Sequence, residues 1–203
     1  MEAGTATIRP GPGRPSTGAR ERILAGCLEV LKDQGYAGLS IAKVASASGE
    51  SKALVSYHFG SKGGLVTAAG RELGEEITRE VLSGLEGAET VEEIVSGAAG
   101  ALWSLVDRDE RLPRVYFDLN AVSVIDPEVR EVLREIKSGW REVLDRLLRG
   151  ARPPIESRDV PGVTTLVIAG LEGLLLERIE RGETPELKRA RQLFISSIAR
   201  FAS

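Results

Sequence analysis

Residues 20–66 read RERILAGCLEVLKDQGYAGLSIAKVASASGESKALVSYHFGSKGGLV, and the spacing of apolar residues in this stretch decides the fold. From Arg20 to Gln34, Ile23, Leu24, Cys27, Leu28 and Leu31 recur three and four apart. That spacing is one buried stripe on a helix, and Gly35 supplies the stop. Ser40 stands where a side-chain oxygen can cap a short helix that turns Ile41, Val44 and Ala45 inward, and Gly49 breaks it. Ser51 caps a third helix through KALVSYHF, in which Val55 and Phe59 face the core while Lys52, Ser56 and Tyr57 point outward. A longer supporting helix followed by two short ones across a glycine-containing turn is the sequence form of a helix-turn-helix.

The third helix carries the single histidine of the chain, His58, between Tyr57 and Phe59. Such a residue could be a catalytic base, a metal ligand or a hydrogen-bonding group on a binding surface. The first two readings lack companions. Only one cysteine is present, Cys27, so neither an intrachain disulfide nor a thiolate cluster is available. Ser40 to Lys43 satisfies a Ser-x-x-Lys spacing, but the Ser-Asp-Asn and Lys-Thr-Gly companions of that chemistry are missing. GPGRPSTG, residues 11–18, has no strand before it and no closing Gly-Lys-Ser/Thr, so it is no phosphate-binding loop. No catalytic residue, metal site or cofactor is expected, and the chain reads as a non-enzyme.

At 203 residues with 42% hydrophobic side chains, the chain has enough apolar material for a packed core. The net charge of −3 hides an asymmetry: residues 1–62 carry eight Lys/Arg against five Asp/Glu, and the remainder is acidic. The first 16 residues, with Arg9 and Arg14 among prolines and glycines, read as a disordered basic arm without the apolar core of a secretion signal. The longest apolar run, Val163 to Leu176, is short for a membrane span and contains Glu172, so no span is expected, and the single cysteine fits a reducing, cytoplasmic setting.

Beyond Ser61 the periodicity is helical throughout. SKGGLVTAAGRELGEEITREVLSGL, residues 61–85, is a long connecting segment, and Thr90 with Glu93 forms capping-box spacing at the start of the next. LPRVYFDLNAVSVI follows, and then a helix capped by Asp126 with Pro127 in first position and a stripe from Val129 through Trp140 to Leu147. A linker, residues 151–162, precedes two last helices. The fold class is all-α.

The ordered features of residues 20–66, from the first helix and the GYAGLSI lead-in to the turn glycine and the ending YHFGSK, resemble the DNA-binding domain of the TetR family of bacterial transcriptional regulators. Glu50, Ala53 and Ser56 depart from the residues common there. The resemblance implies a helix-turn-helix head over residues 17–77 and a helical ligand-binding and dimerisation body over residues 78–203. It implies that Tyr57, His58 and Lys62 touch phosphate oxygens. The outward Lys52, Ala53 and Ser56 would read base edges, with Leu54 against a thymine methyl and Ser40, Lys43 and Ser51 completing the DNA-facing set. It also implies a homodimer through the last two helices, for which Leu187, Ala190, Phe194, Ile198 and Phe201 form a suitable stripe and Ala169, Gly170 and Gly173 permit close approach. The expected partners are double-stranded operator DNA and a small-molecule effector that releases a repressor. The other reading is a helical DNA-binding adaptor controlled by a protein partner.

For the effector, Trp103, Tyr116, Phe117 and Trp140 lie on the three helices that would surround a bundle cavity, with Asn120 nearby and Glu172 on the apolar helix. A buried carboxylate needs a partner. Arg141, Arg178, solvent or a cationic ligand could each serve Glu172.

Overall fold

The computed structural model describes residues 18–201, in which the helices run in the order α1 (Ala19–Gly38), α2 (Ile41–Ser48), α3 (Lys52–Phe59), α4 (Lys62–Gly84), α5 (Val91–Arg108), α6 (Leu112–Ser123), α7 (Pro127–Gly150), α8 (Val160–Arg181) and α9 (Pro185–Phe201). The expected basic arm lies outside the described residues. Local capping accounts for most helix starts. Ser40, Ser51 and Ser61 each accept from the backbone N–H three residues on, and Thr90 and Glu93 form a reciprocal capping box. Asp126 accepts from both Glu128 N and Val129 N.

Inside α1, Gly35 takes φ 66°, so the regular helix ends there and a further turn runs to Gly38. Gly49, with φ 70°, makes the turn between α2 and α3. Both conformations lie in the left-handed region that residues with a Cβ enter at a cost. Ile23, Cys27, Val44 and Val55 are essentially sealed from water. Arg22 also forms a 2.6 Å ion pair with Glu50 in the turn. An exposed pair contributes at most about 1 kcal/mol, whereas burying one side chain such as Ile23 contributes about 1.5 to 3 kcal/mol. The apolar stripe therefore holds the head together, and the ion pair only trims the turn.

The head is not a separate unit. Its core runs without a break into Val115, Tyr116 and Leu119 of α6 and Val129 and Leu133 of α7. A second core joins the far half of α5 and α7 to α8 and α9 through Ile94, Val95, Leu148, Val160 and Val167. α4 passes between them and crosses α5 at its C-terminal end, where a Cβ on Gly97 would lie 2.3 Å from the Gly84 carbonyl oxygen.

Two expectations change here. The linker ends three residues early, because α8 already begins at Val160. The stripe on α9 assigned to a second subunit is used within the chain: Leu187 and Ile198 are buried, Ala190 and Phe194 are half-buried, and the ring of Phe194 lies over Gly170 of α8. The side chain of Phe201 lies outside the described residues. What remains exposed on this pair is Leu166 and Leu176 of α8 and Leu193 of α9. α8 is long and apolar enough to cross a membrane by composition, yet Val163, Val167, Ile168, Leu171 and Leu175 are buried against its neighbours.

A Cβ at Gly170 would fall 2.2 Å from the Phe194 ring. Gly170→Val should therefore destabilise the chain by about 1 to 3 kcal/mol through overpacking, read as a lower urea midpoint, and Phe194→Leu in the same chain should restore part of it. An unchanged midpoint for the single variant would mean that the two helices do not pack this way.

Candidate functional site

Capping by Ser51 and the burial of Val55 set the rotation of α3, which leaves Lys52, Ala53, Ser56 and Tyr57 exposed along one face. Tyr57 is 75% exposed, unusual for so large a side chain in a folded domain. His58 stands half-buried beside it, the two rings edge to face at 5.3 Å, and its Nε2 is buried with no partner among the described residues. Leu54 is half-buried against the head core instead of projecting from it.

The two outlying lysines of the expected DNA-facing set fold back onto the end of α1, Lys43 while remaining exposed. Lys43 Nζ donates to Gln34 Oε1 at 2.5 Å and to the Gly38 carbonyl at 2.8 Å. Lys62 Nζ donates to the Tyr36 carbonyl at 2.8 Å and sits 4.2 Å from the centre of the Tyr36 ring. Both ammonium groups thus donate to carbonyls at the C-terminal end of α1, where the helix dipole favours a cation. Ser40, likewise, serves as a cap, accepting from Lys43 N.

A cavity of about 90 Å³ lies within the body, walled by residues of α4, α5, α6, α7 and α8. Of the six residues expected around an effector, Tyr116, Trp140 and Glu172 line it. Three do not: helical rotation explains Trp103 and Phe117, and a hydrogen bond to its own helix explains Asn120. On α5 the wall is made by Ala98, Leu102, Leu105 and Val106, so Trp103 turns toward α9. There its Nε1 donates to Glu183 Oε2 at 2.7 Å under the guanidinium of Arg191. Phe117, one residue round from Tyr116, packs against the core shared with the head. Asn120 Nδ2 is tied back to the Tyr116 carbonyl at 2.9 Å.

Glu172 has partners that neither Arg141 nor Arg178 supplies. Arg141 donates to Thr165, and Arg178 pairs with Asp107. Instead, Lys137 Nζ of α7 lies 2.9 Å from Glu172 Oε1, and the Tyr116 hydroxyl donates to the same oxygen. Burial, reinforced by the Glu172 carboxylate, raises the Tyr116 phenol far above its ordinary value, so it stays a donor. Lys137 was legible only as a charge three residues before Trp140, on the same helix face.

Residues 23–69 match the family of bacterial regulatory proteins described as the tetR family, and residues 91–203 match the C-terminal domain of BetI-type transcriptional repressors. The chain belongs to the TetR family. It is similar to the HTH-type transcriptional regulator BetI 1 of Chromohalobacter salexigens, 24% identical over 86% of this chain and 85% of that one. It is also similar to the HTH-type nicotine-responsive transcriptional repressor HdnoR of Paenarthrobacter nicotinovorans, 23% identical over 74% and 80%. Among solved structures, a transcriptional regulator from Rhodococcus sp. Rha1 shares the fold, with a TM-score of 0.78 at 24% identity over 90% of this chain and 97% of that one. As a TetR-family member it is a DNA-binding transcriptional regulator.

In this TetR-family chain the head and the cavity share α6. The backbone N–H of Tyr36 donates to Asp118 Oδ2 at 2.5 Å, two residues beyond the Tyr116 that lines the cavity. The Tyr36 hydroxyl reaches Asp126 Oδ2 at 3.3 Å. At the start of α6, Arg111 bridges to Asp33 at 2.7 Å and Lys32 to Asp109 at 3.0 Å. Burial opposes the charge on Asp109, but hydrogen bonds from Arg111 and Lys32 outweigh it and lower its pKa to about 2.

A carboxyl group whose folded pKa is depressed contributes stability above its unfolded value and loses it as pH falls through the folded one. Asp109→Asn should be less stable than the parent at neutral pH, and the gap should close between the ordinary aspartate range and about 2. Chemical denaturation at a series of pH values checks this. A gap independent of pH would exclude an ionic role for Asp109.

Proposed function

We propose that this regulator is a repressor that binds palindromic operator DNA as a homodimer and is released by a small molecule held in the body cavity. The observation that carries the reading is the double duty of α6, whose Leu112, Pro113 and Tyr116 wall the cavity while Asp118 holds the head. A ligand that prefers a displaced α6 also prefers a displaced head, and population of that state lowers DNA affinity. The nicotine-responsive relative is a repressor under small-molecule control by its own description, which supports the same logic here. A cavity with apolar walls favours a small molecule over a protein partner as the controlling species. The protein would act in the cytoplasm, where operator DNA is found.

In this reading the head spans residues 17–77 and the body residues 78–203. Lys52, Ala53 and Ser56 face base edges, and Tyr57 and His58 face phosphates, His58 by a turn of its ring that brings the buried Nε2 out to an oxygen. Lys43 and Lys62 act from behind by holding the end of α1. The exposed Leu166 and Leu176 of α8 and Leu193 of α9 supply the apolar face for a second subunit. A single short helix reads few bases, and a twofold pair reads two half-sites.

An operator selected from random-sequence DNA tests the assignment. Lys52→Ala should relax preference at one base pair, at about 1 to 3 kcal/mol if the contact is bidentate, whereas Tyr57→Phe should weaken all sequences alike. A change of base preference in Tyr57→Phe would reverse the two roles. Leu166→Glu with Leu176→Glu should shift sedimentation to the monomer and abolish palindrome binding without lowering helix content by circular dichroism. A dimer that persists in this variant would place the interface elsewhere.

A further inference from the structure

The walls of the cavity are apolar apart from a few groups, and most of those are already engaged. Trp140 Nε1 donates to Thr78 Oγ1 at 2.9 Å, Thr78 donates in turn to the Gly74 carbonyl, and Tyr116 donates to Glu172. Both contacts of the Glu172 carboxylate fall on Oε1, which leaves Oε2 without a protein donor among the described residues. An ionised carboxylate only accepts. Glu172 is as exposed as Lys137, so water can serve that oxygen, and a ligand that displaces this water brings a donor in its place.

The structure also shows which kind of donor the corner holds. Lys137 is not part of the cavity wall, yet its ammonium reaches Glu172 at 2.9 Å and lies 5.7 Å from the centre of the Tyr116 ring. Trp140 stands next to that ring, 5.6 Å between centroids. A carboxylate in a cavity whose walls carry two neighbouring aromatic rings is the complement of an organic cation. Lys137 is 28% exposed on a flexible stem, so its ammonium can withdraw to water without leaving a buried charge behind.

We propose that the effector is a small primary amine that binds in its ammonium form at Glu172 and displaces Lys137, which acts as a tethered competitor for the same carboxylate. The inference rests on the cavity being the effector site. Charge decides among the ligand classes. A cation that left Lys137 in place would set two positive charges against one carboxylate in apolar surroundings, whereas exchange keeps the ratio at one to one. An anion would meet Glu172 itself. A neutral alcohol could donate to Oε2 but would gain neither the ion pair nor the aromatic faces. Size points the same way: a cavity of about 150 Å³ accepts benzene, and this one, at about 90 Å³, suits a body of a few carbons.

Isothermal titration of the full chain with butylammonium chloride, 1-butanol and sodium butanoate, matched in ionic strength, tests the proposal. Butylammonium should bind about tenfold tighter than 1-butanol, with butanoate silent. Glu172→Gln should bring the ammonium down to the level of the alcohol. Lys137→Met should tighten the ammonium and leave the alcohol unchanged. The comparison of the three ligands on the unmodified chain stands even if a variant fails to fold. Equal binding of ammonium and alcohol, or weaker ammonium binding by folded Lys137→Met, overturns the proposal while leaving the cavity as the effector site. Silence of all three ligands overturns the site together with the proposal.

Discussion

A helix that ends against other elements leaves amides and carbonyls without partners in its own ladder, and each gains from finding one. The end of α1 meets this constraint with groups from three directions. Gly35 turns the chain in the left-handed region, which brings the Tyr36 N–H to Asp118 of α6 and the Tyr36 carbonyl to Lys62 of α4. The phenol of the same residue reaches Asp126 ahead of α7. One residue is thus held by the connecting helix, by a wall of the cavity and by the turn that leads into α7. The orientation of the head follows from those three anchors.

This arrangement bears on how a body of helices can govern a reading head. A hydrogen bond to a charged group contributes about 1.5 to 3 kcal/mol, and couplings between distant sites amount to about 1 to 3 kcal/mol. The two ranges overlap. Loss or weakening of a single contact such as Asp118 to Tyr36 is therefore large enough to carry the whole coupling. No long chain of intermediaries is required, because Tyr116 and Asp118 lie two residues apart, on opposite faces of one rigid helix.

The features legible in the sequence are those whose physics is local. Ser40, Ser51, Thr90 with Glu93 and Asp126 cap helices because their partners lie two or three residues away, and the glycine stops at Gly35 and Gly49 depend only on their own backbone. The exposed face of α3 followed from the rotation that buries Val55. Rotation was too coarse a guide on α5, where Leu102, Trp103, Leu105 and Val106 share one broad apolar face, so size alone favoured the tryptophan over its smaller neighbours. It was no better on α9, whose stripe could serve either its own chain or a second one until Gly170 was seen to receive Phe194. The pairing of Lys137 with Glu172 joins residues on different helices, and no spacing announces it.

The burial of Cys27 reaches beyond packing. The only thiol of the chain is sealed in the head core, and desolvation pushes its pKa to about 12, so almost none exists as the reactive thiolate at neutral pH. Peroxides and alkylating reagents meet an inert group for as long as the three head helices remain closed over it. Once the head opens, the same sulfur regains ordinary reactivity. The rate at which a thiol reagent labels the native protein therefore records how often the DNA-reading unit breathes, with no probe added and no residue changed.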